Sequence, residues 1–338
     1  MTAHASSPKL SPSATTTLDL SFTDINWQAP WLCHLSQLNC LGQTVEKLSS
    51  QAQRSDEVDA NFNYNSTHST SIIAELLNTA MTEHAEDLQK SFPQTKPTQN
   101  NQAHSLMFVS QDALPEGEGY EHFIATTGNI PTRDNLHDLF NGSIWLTFPT
   151  TKALLNHHHM IEISKQTTKQ INGQGIDESR GRVRDTITVF DENGAALVTA
   201  DTSIGEALID FDWQASLVTP RNSWDHPCNS RDNAQAAVYI FGHALLEQLI
   251  QPRKPLCAHS VVINVTPAFF TLPMPERMAY IDGKLAEHMH QLLSQAEVTP
   301  RQLSPLPILG VPHFWHENAN PKFYDDSHVF RSGRRKQK

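Results

Sequence analysis

The stretch RGRVRDTITVFDENGAALVTAD, from Arg180 to Asp201, sets the first limit on the fold. Its apolar residues recur with period two, and an Asn-Gly pair separates two alternating runs. That pattern predicts a strand from Arg180 to Asp191, a turn at DENG, and a returning strand AALVTAD. LMFVSQ, from Leu106, reads as a further short strand. Elsewhere the apolar spacing is helical. Helices are predicted at Ile72 to Gln89, from Thr132 or Asp134 up to Pro149, at Ala234 to Ile250, and at Lys284 to Gln295. Trp27 to Leu48 has the same spacing and is expected to pack. Helices with a hairpin, and no strand–helix–strand alternation, predict an α+β domain that is mainly helical.

Residues 1–18 are rich in Ser, Thr and Pro and are predicted to be disordered. Residues 19–331 are predicted to form a single globular domain, interrupted by a polar insertion at 49–105 that carries one surface helix. The domain ends in an extended arm, LSPLPILGVPHFWHENANPKFYDDSHVFR, whose prolines forbid long regular structure and whose aromatics are expected to pack over the body. Residues 332–338 form a basic tail. The apolar fraction of 38% lies below the roughly 45–50% of an average globular chain, so part of the chain is expected to stay unpacked.

Charge narrows the partners. Residues Met1 to Phe330 hold 20 basic against 36 acidic side chains, a balance of −16. Such a body repels polyanions, which makes nucleic acid an unlikely partner and leaves a small anionic ligand open. No uncharged apolar stretch approaches the roughly 20 residues of a membrane span. The N-terminus has no apolar signal core, and Cys33, Cys40, Cys228 and Cys257 show no C-x-x-C spacing. These features predict a cytoplasmic protein with reduced thiols. Nothing in the sequence sets an oligomeric state.

Three segments concentrate ionisable groups. In PTRDNLHDLFN, from Pro131 to Asn141, helical spacing puts His137, Asp138 and Asn141 beside the sector of Trp145, at the mouth of whatever covers it. The alternative is a capping turn in which Arg133 pairs with Asp134 or Asp138. In the predicted strand, Arg182 and Arg184 share a face with Arg180, whereas Asp185 falls on the face that should be buried. Side-by-side arginines call for an anion, either carboxylates such as Asp325 and Asp326 or a phosphate-bearing ligand. In FGHALLEQL, His243 and Glu247 share a helix face with Tyr239. That pair could orient a general base, bind a metal, or be a satisfied polar pair in the core. The histidine triplet His157 to His159 points in three directions on a helix and cannot easily serve one ion. A divalent metal suits these residue types, yet no ligand spacing supports one, and the common nucleotide and hydrolase motifs are absent. The cofactor, if any, stays unknown.

GNIPTRDNLHDLFNGSIWLTFPTTKALLN, RGRVRDTITVFDENGAALV, FGHALLEQL and PLPILGVPHFW…NPKFYDDSHVFR, in this order, resemble an uncharacterised bacterial family known as domain of unknown function 3025. The resemblance runs from about Trp27 to Arg331 without the polar insertion. It implies a bacterial protein and supplies no catalytic residues. The histidine triplet after KALLN departs from the family pattern.

Two functions fit these observations. One is a hydrolase-like enzyme acting on a small anionic, phosphate-bearing substrate, with or without metal. There Arg133, Arg182, Arg184 and Asp185 contact substrate and His243 is the base oriented by Glu247. His137, Asp138 and Asn141 then form a second acid–base or metal edge. The other is an interaction or scaffold protein in which the same groups are internal ion pairs.

Overall fold

A computed structural model describes residues 22, 24–38, 71–91, 106–171, 179–226 and 233–333. The expectations for residues 1–18, for the polar flanks of the insertion, for Trp27 to Leu48 beyond Leu38 and for most of the basic tail lie outside these residues. After a 3-10 segment at Pro30–Leu38, the elements are α1 (Ile72–Ser91), β1 (Met107–Ser110), α2 (Tyr120–Thr127), β2 (Asn129–Thr132), α3 (Leu136–Thr147) and α4 (Pro149–Ile171). They continue with α5 (Ser179–Asn193), β3 (Gly194–Thr199), α6 (Thr202–Ile209), β4 (Ala236–Ile240), α7 (His243–Gln248), β5 (Cys257–Asn264), α8 (Met274–Leu293) and β6 (Ser304–Pro307). The α+β expectation holds.

Strands β1 and β2 pair in parallel, and a four-stranded sheet runs β4-β3-β5-β6. In it β3 is parallel to β5, while the β3–β4 and β5–β6 pairs are antiparallel. Leu197 stands between Val238 and Val262, and all six residues of β3 are buried. The antiparallel pairs are joined through helices rather than tight turns.

The predicted strand Arg180 to Asp191 is therefore corrected: it belongs to helix α5. Val183, Ile187 and Val189 satisfy period two, but Val183, Ile187 and Phe190 satisfy the i, i+4, i+7 spacing of a helix face, and burial selects the helix: Ile187 and Phe190 are at 1% and 0% exposure. Asn193-Gly194 is then no hairpin turn but the point where helix runs straight into strand. A side chain on Gly194 would put its Cβ 2.2 Å from the Phe190 carbonyl oxygen, so that exit needs glycine. The buried Asp185 foreseen on the strand also disappears, because on the helix Asp185 is exposed.

The long helix predicted over Ala234 to Ile250 is likewise corrected to strand β4 followed by α7. An apolar run covered on all sides cannot be assigned by periodicity alone, and the β-branched and aromatic AAVYI pairs with β3. Helix α3 opens later than foreseen. Asn135, not Thr132 or Asp134, is its N-cap, and the Asn135 Oδ1 accepts from the Asp138 amide at 2.8 Å. Asp134 instead caps α1, accepting from Ser71 Oγ at 2.8 Å and the Ile73 amide at 2.9 Å. Helix α1 is amphipathic as expected, but its inner face is core, with Ile73 and Leu77 at 0% exposure. Pro149 does not end helical structure. It starts α4, where a missing N–H costs nothing, and the Asp282 carboxylate accepts from the Thr150 and Thr151 amides at 2.9 and 2.8 Å. The second predicted helix, Lys284 to Gln295, begins ten residues earlier, at Met274, and stops at Leu293.

The C-terminal arm contributes β6 and then short 3-10 turns. Phe314, Phe323 and Phe330 are buried, so its aromatics cover the body. Asp326 pairs with Lys254 at 3.2 Å, not with the arginines of α5. Cys33 is disulfide-bonded while Cys257 is a free thiol. The expectation of four reduced thiols is thus corrected, because bridging depends on spatial approach that spacing in sequence does not report. Among the described residues no helix is long and apolar enough to cross a membrane.

Candidate metal centre

Three helix ends meet at one point: the first turn of α3, the last turn of α5 and the first residue of α7. They bring His137, Glu192 and His243 together, with one ligand-capable atom from each lying within 4.8 Å of the others. His137 Nε2 faces His243 Nε2 at 3.0 Å, with the rings nearly perpendicular at 80°. Glu192 Oε2 lies 3.6 Å from His243 Nε2. Behind His137, Glu247 Oε2 is 3.0 Å from Nδ1. His243 is 4% exposed, but His137, Glu192 and Glu247 are 34%, 35% and 40% exposed, so one side of the cluster is open to solvent.

The close approach of α7 to α5 is a glycine effect. The Gly242 amide donates to the Gly194 carbonyl at 2.8 Å. A Cβ at Gly242 would stand 2.5 Å from Glu192 O, Asn193 Cα and Gly194 N. Only a bare backbone lets His243 start its helix against the end of α5.

A carboxylate accepts only, so Glu247 fixes the His137 Nδ1 proton and leaves neutral His137 with a bare Nε2. If His243 carries its proton on Nε2, its buried Nδ1 is bare, without a hydrogen-bond partner, and 3.9 Å from the Asp191 carboxylate. If the proton is on Nδ1, two nitrogen lone pairs face each other across 3.0 Å. Either neutral arrangement leaves an unmet electrostatic need at this point. Burial pushes the His243 imidazole down to about 4, despite the opposing Asp191 charge, so it is neutral at neutral pH, the form that ligates metal.

A polar chain continues behind His243. Lys152 Nζ donates to Asp191 Oδ1 at 2.6 Å and to Asn141 Oδ1 at 2.8 Å, and Asn141 Nδ2 donates to the Tyr120 hydroxyl at 3.1 Å. The Lys152 ammonium also lies 5.4 Å from the Trp145 ring centre. Burial raises the Asp191 carboxyl, but Lys152 and His243 more than offset it and the net shift is downward. Glu192 is raised, first by burial, with His137 opposing and Asp191 and Glu247 adding to the rise. Three carboxylates thus crowd two imidazoles.

Of the residues singled out in the sequence, His137, His243 and Glu247 converge, and Asn141 joins them through Lys152 and Asp191. Asp138 does not. It is clamped by Arg133, accepting from the Arg133 amide at 2.7 Å, Nε at 3.1 Å and Nη2 at 2.9 Å, which is the capping-turn alternative. Arg182 pairs with Glu297 at 2.8 Å on the surface, and Asp185 is exposed. Arg184 is half-buried within electrostatic reach of His159. Glu192, Asp191 and Lys152 were missed. The helical reading of VRDTITVFDE would have put both acids at a helix end; for Lys152 the sequence gives no signal. His157 to His159 lie within α4: His157 is exposed, His158 is buried with Nε2 3.2 Å from His290 Nδ1, and His159 is half-buried.

No curated protein and no solved structure matches the chain. The family profile described as "Protein of unknown function (DUF3025)" matches residues 106–334, a span that contains all three ligand-capable residues and leaves out the N-terminal part of the resemblance. The chain therefore belongs to the DUF3025 family.

Proposed function

We propose that the protein is a metal-dependent hydrolase of a small anionic substrate, with one divalent cation held by His137, His243 and Glu192. The observation that carries this reading is the approach of two Nε2 atoms to 3.0 Å with a carboxylate beside them. A cation between them meets the need that either tautomer leaves. It also lets His243 carry its proton on Nδ1, toward Asp191. Two neutral imidazoles and one carboxylate suit zinc or a similar borderline cation. A cation held by these three residues would be open on the solvent side, and the chemistry it would supply is to lower the pKa of a bound water and to polarise a substrate oxygen. Glu247 then fixes the tautomer and direction of His137. In this reading His243 is a ligand and not the general base foreseen from sequence, because its Nε2 is committed.

The test is elemental analysis of the purified full chain, followed by chelation, reloading and a phosphatase, esterase and nuclease panel. Cation-dependent turnover that is lost in Glu192→Gln supports the proposal. One bound cation with no turnover removes the hydrolase part. In its favour the scaffold reading has the closed pairs Arg133–Asp138, Arg182–Glu297 and Lys254–Asp326, which make those segments architecture.

A further inference from the structure

Among the arginines foreseen as anion ligands, Arg133 and Arg182 are engaged by Asp138 and Glu297. Arg184 is half-buried on α5, and among the described residues it makes no hydrogen bond or ion pair. His159 of α4, whose Nδ1 is a buried atom without a hydrogen-bond partner, feels the Glu121 carboxylate first and the Arg184 guanidinium next. Lys152, Asn156 and His159 are spaced i, i+4, i+7 and form one stripe along α4. Asn156 Oδ1 on that stripe is buried without a partner, as is the indole Nε1 of Trp145, the ring beside Lys152. Buried polar atoms are nearly always satisfied; Asn156 Oδ1 can only accept, but Trp145 Nε1 donates, as does His159 Nδ1 when it carries the ring proton, and these unmet donors together with the guanidinium call for a ligand.

We infer that Arg184 and His159 form a seat for a phosphoryl group of the substrate, next to the cation site. A guanidinium fork with neighbouring N–H donors matches a multi-oxygen anion. The nearby Asp191 does not oppose it strongly, because Lys152 already neutralises that carboxylate. Arg184 and Glu192 are eight residues apart on one helix, about 12 Å along its axis. With its two anchors set along the helix in this way, the seated phosphate is read as a group apart from the one that is cleaved. It is a handle, and the hydrolysed bond lies further along the same molecule. This inference rests on the metal-dependent reading for the reaction, but phosphate binding itself does not require the cation.

The experiment is calorimetric titration of inorganic phosphate into the chelator-treated full chain. Wild type is expected to bind saturably. Arg184→Ala and His159→Phe are each expected to weaken binding about tenfold or more, as loss of a charge-assisted contact does, while Arg182→Ala leaves it unchanged. Arg184→Lys, which keeps the charge without the fork, is expected to fall between, with an unaltered thermal melt. Wild-type affinity in Arg184→Ala, or no saturable binding by wild type up to about 10 mM, overturns the seat. If the cation binds one to one and the seat fails, only this inference falls. If Arg184-dependent phosphate binding persists in a chain that binds no cation, only the metal reading falls.

Discussion

His137 and His243 lie 106 residues apart in sequence, yet their Nε2 atoms stand 3.0 Å apart. Each ring also has a carboxylate toward its far nitrogen, Glu247 at 3.0 Å from His137 Nδ1 and Asp191 at 3.9 Å from His243 Nδ1. This back-to-front symmetry is what metal-bound histidines need: Nε2 toward the ion, and a proton on Nδ1 toward an acceptor.

Glu247 acts through His137. Glu247→Gln should lower cation affinity about 10- to 100-fold, the usual effect of losing an outer carboxylate. Because Glu247 is 40% exposed, the fold should survive. Calorimetry with zinc reads the affinity, and an affinity equal to wild type would falsify the positioning role.

Gly242→Ala tests the junction itself. The new Cβ meets three backbone atoms of residues 192–194 at 2.5 Å, and backbone cannot swing aside as a side-chain tip can. A loss of about 1–3 kcal/mol or more in stability is expected, together with weaker cation binding, because Glu192 and His243 are pushed apart. Unchanged denaturation and unchanged binding would show that the contact is not tight.

Lys152→Met removes one partner of a buried pair. Lys152 is 5% exposed and Asp191 26%. The substitution strands the Asp191 charge and is expected to destabilise the chain by about 3 kcal/mol, read from urea unfolding. A change below about 1 kcal/mol would mean that solvent at Asp191 already screens the pair.

His34 gives a pH signature away from the cation site. Its Nε2 donates to the Ile240 carbonyl at 2.8 Å, and burial pulls its pKa down to about 4 against the opposing effect of that hydrogen bond. The unfolded chain, with a histidine near 6.5, takes up the proton first. Stability from neutral His34 is thus full above pH 6.5 and falls as pH drops from 6.5 toward 4, by up to about 3 kcal/mol. His34→Gln keeps a donor that does not titrate, so its stability should fall less between pH 7 and 4.5. The comparison is made on chelated protein, where His243 contributes equally to both. Parallel pH slopes would contradict this assignment.

Much of this arrangement was legible in sequence as chemistry but not as geometry. His137 and the His243–Glu247 pair stood out because ionisable groups in apolar surroundings are conspicuous. The ligand set itself was hidden, since its members come from three segments and share no spacing. Glu192 was concealed by DENGA, which reads as a hairpin turn when Val183, Ile187 and Val189 are taken as a strand face. Val183, Ile187 and Phe190 fit a helix face instead, and only the burial of Ile187 and Phe190 against the sheet decides. AAVYI was similarly ambiguous because a fully covered strand and a buried helix are apolar in the same way. The pairing of Arg133 with Asp138 was one of the two options open in the sequence, but the fates of Arg182 and Arg184 could not be foreseen, because a partner or the lack of one depends there on tertiary neighbours.

The most direct measurement is a cobalt(II) titration of the chelated full chain, followed by its visible absorption bands, for wild type, His137→Ala and Glu192→Gln. One equivalent bound by wild type, with intense bands of low coordination number that disappear in His137→Ala and weaken in Glu192→Gln, is the expected result. Wild type that shows only the faint spectrum of aqueous cobalt, or binding that both variants leave intact, would contradict a cation held between His137, His243 and Glu192.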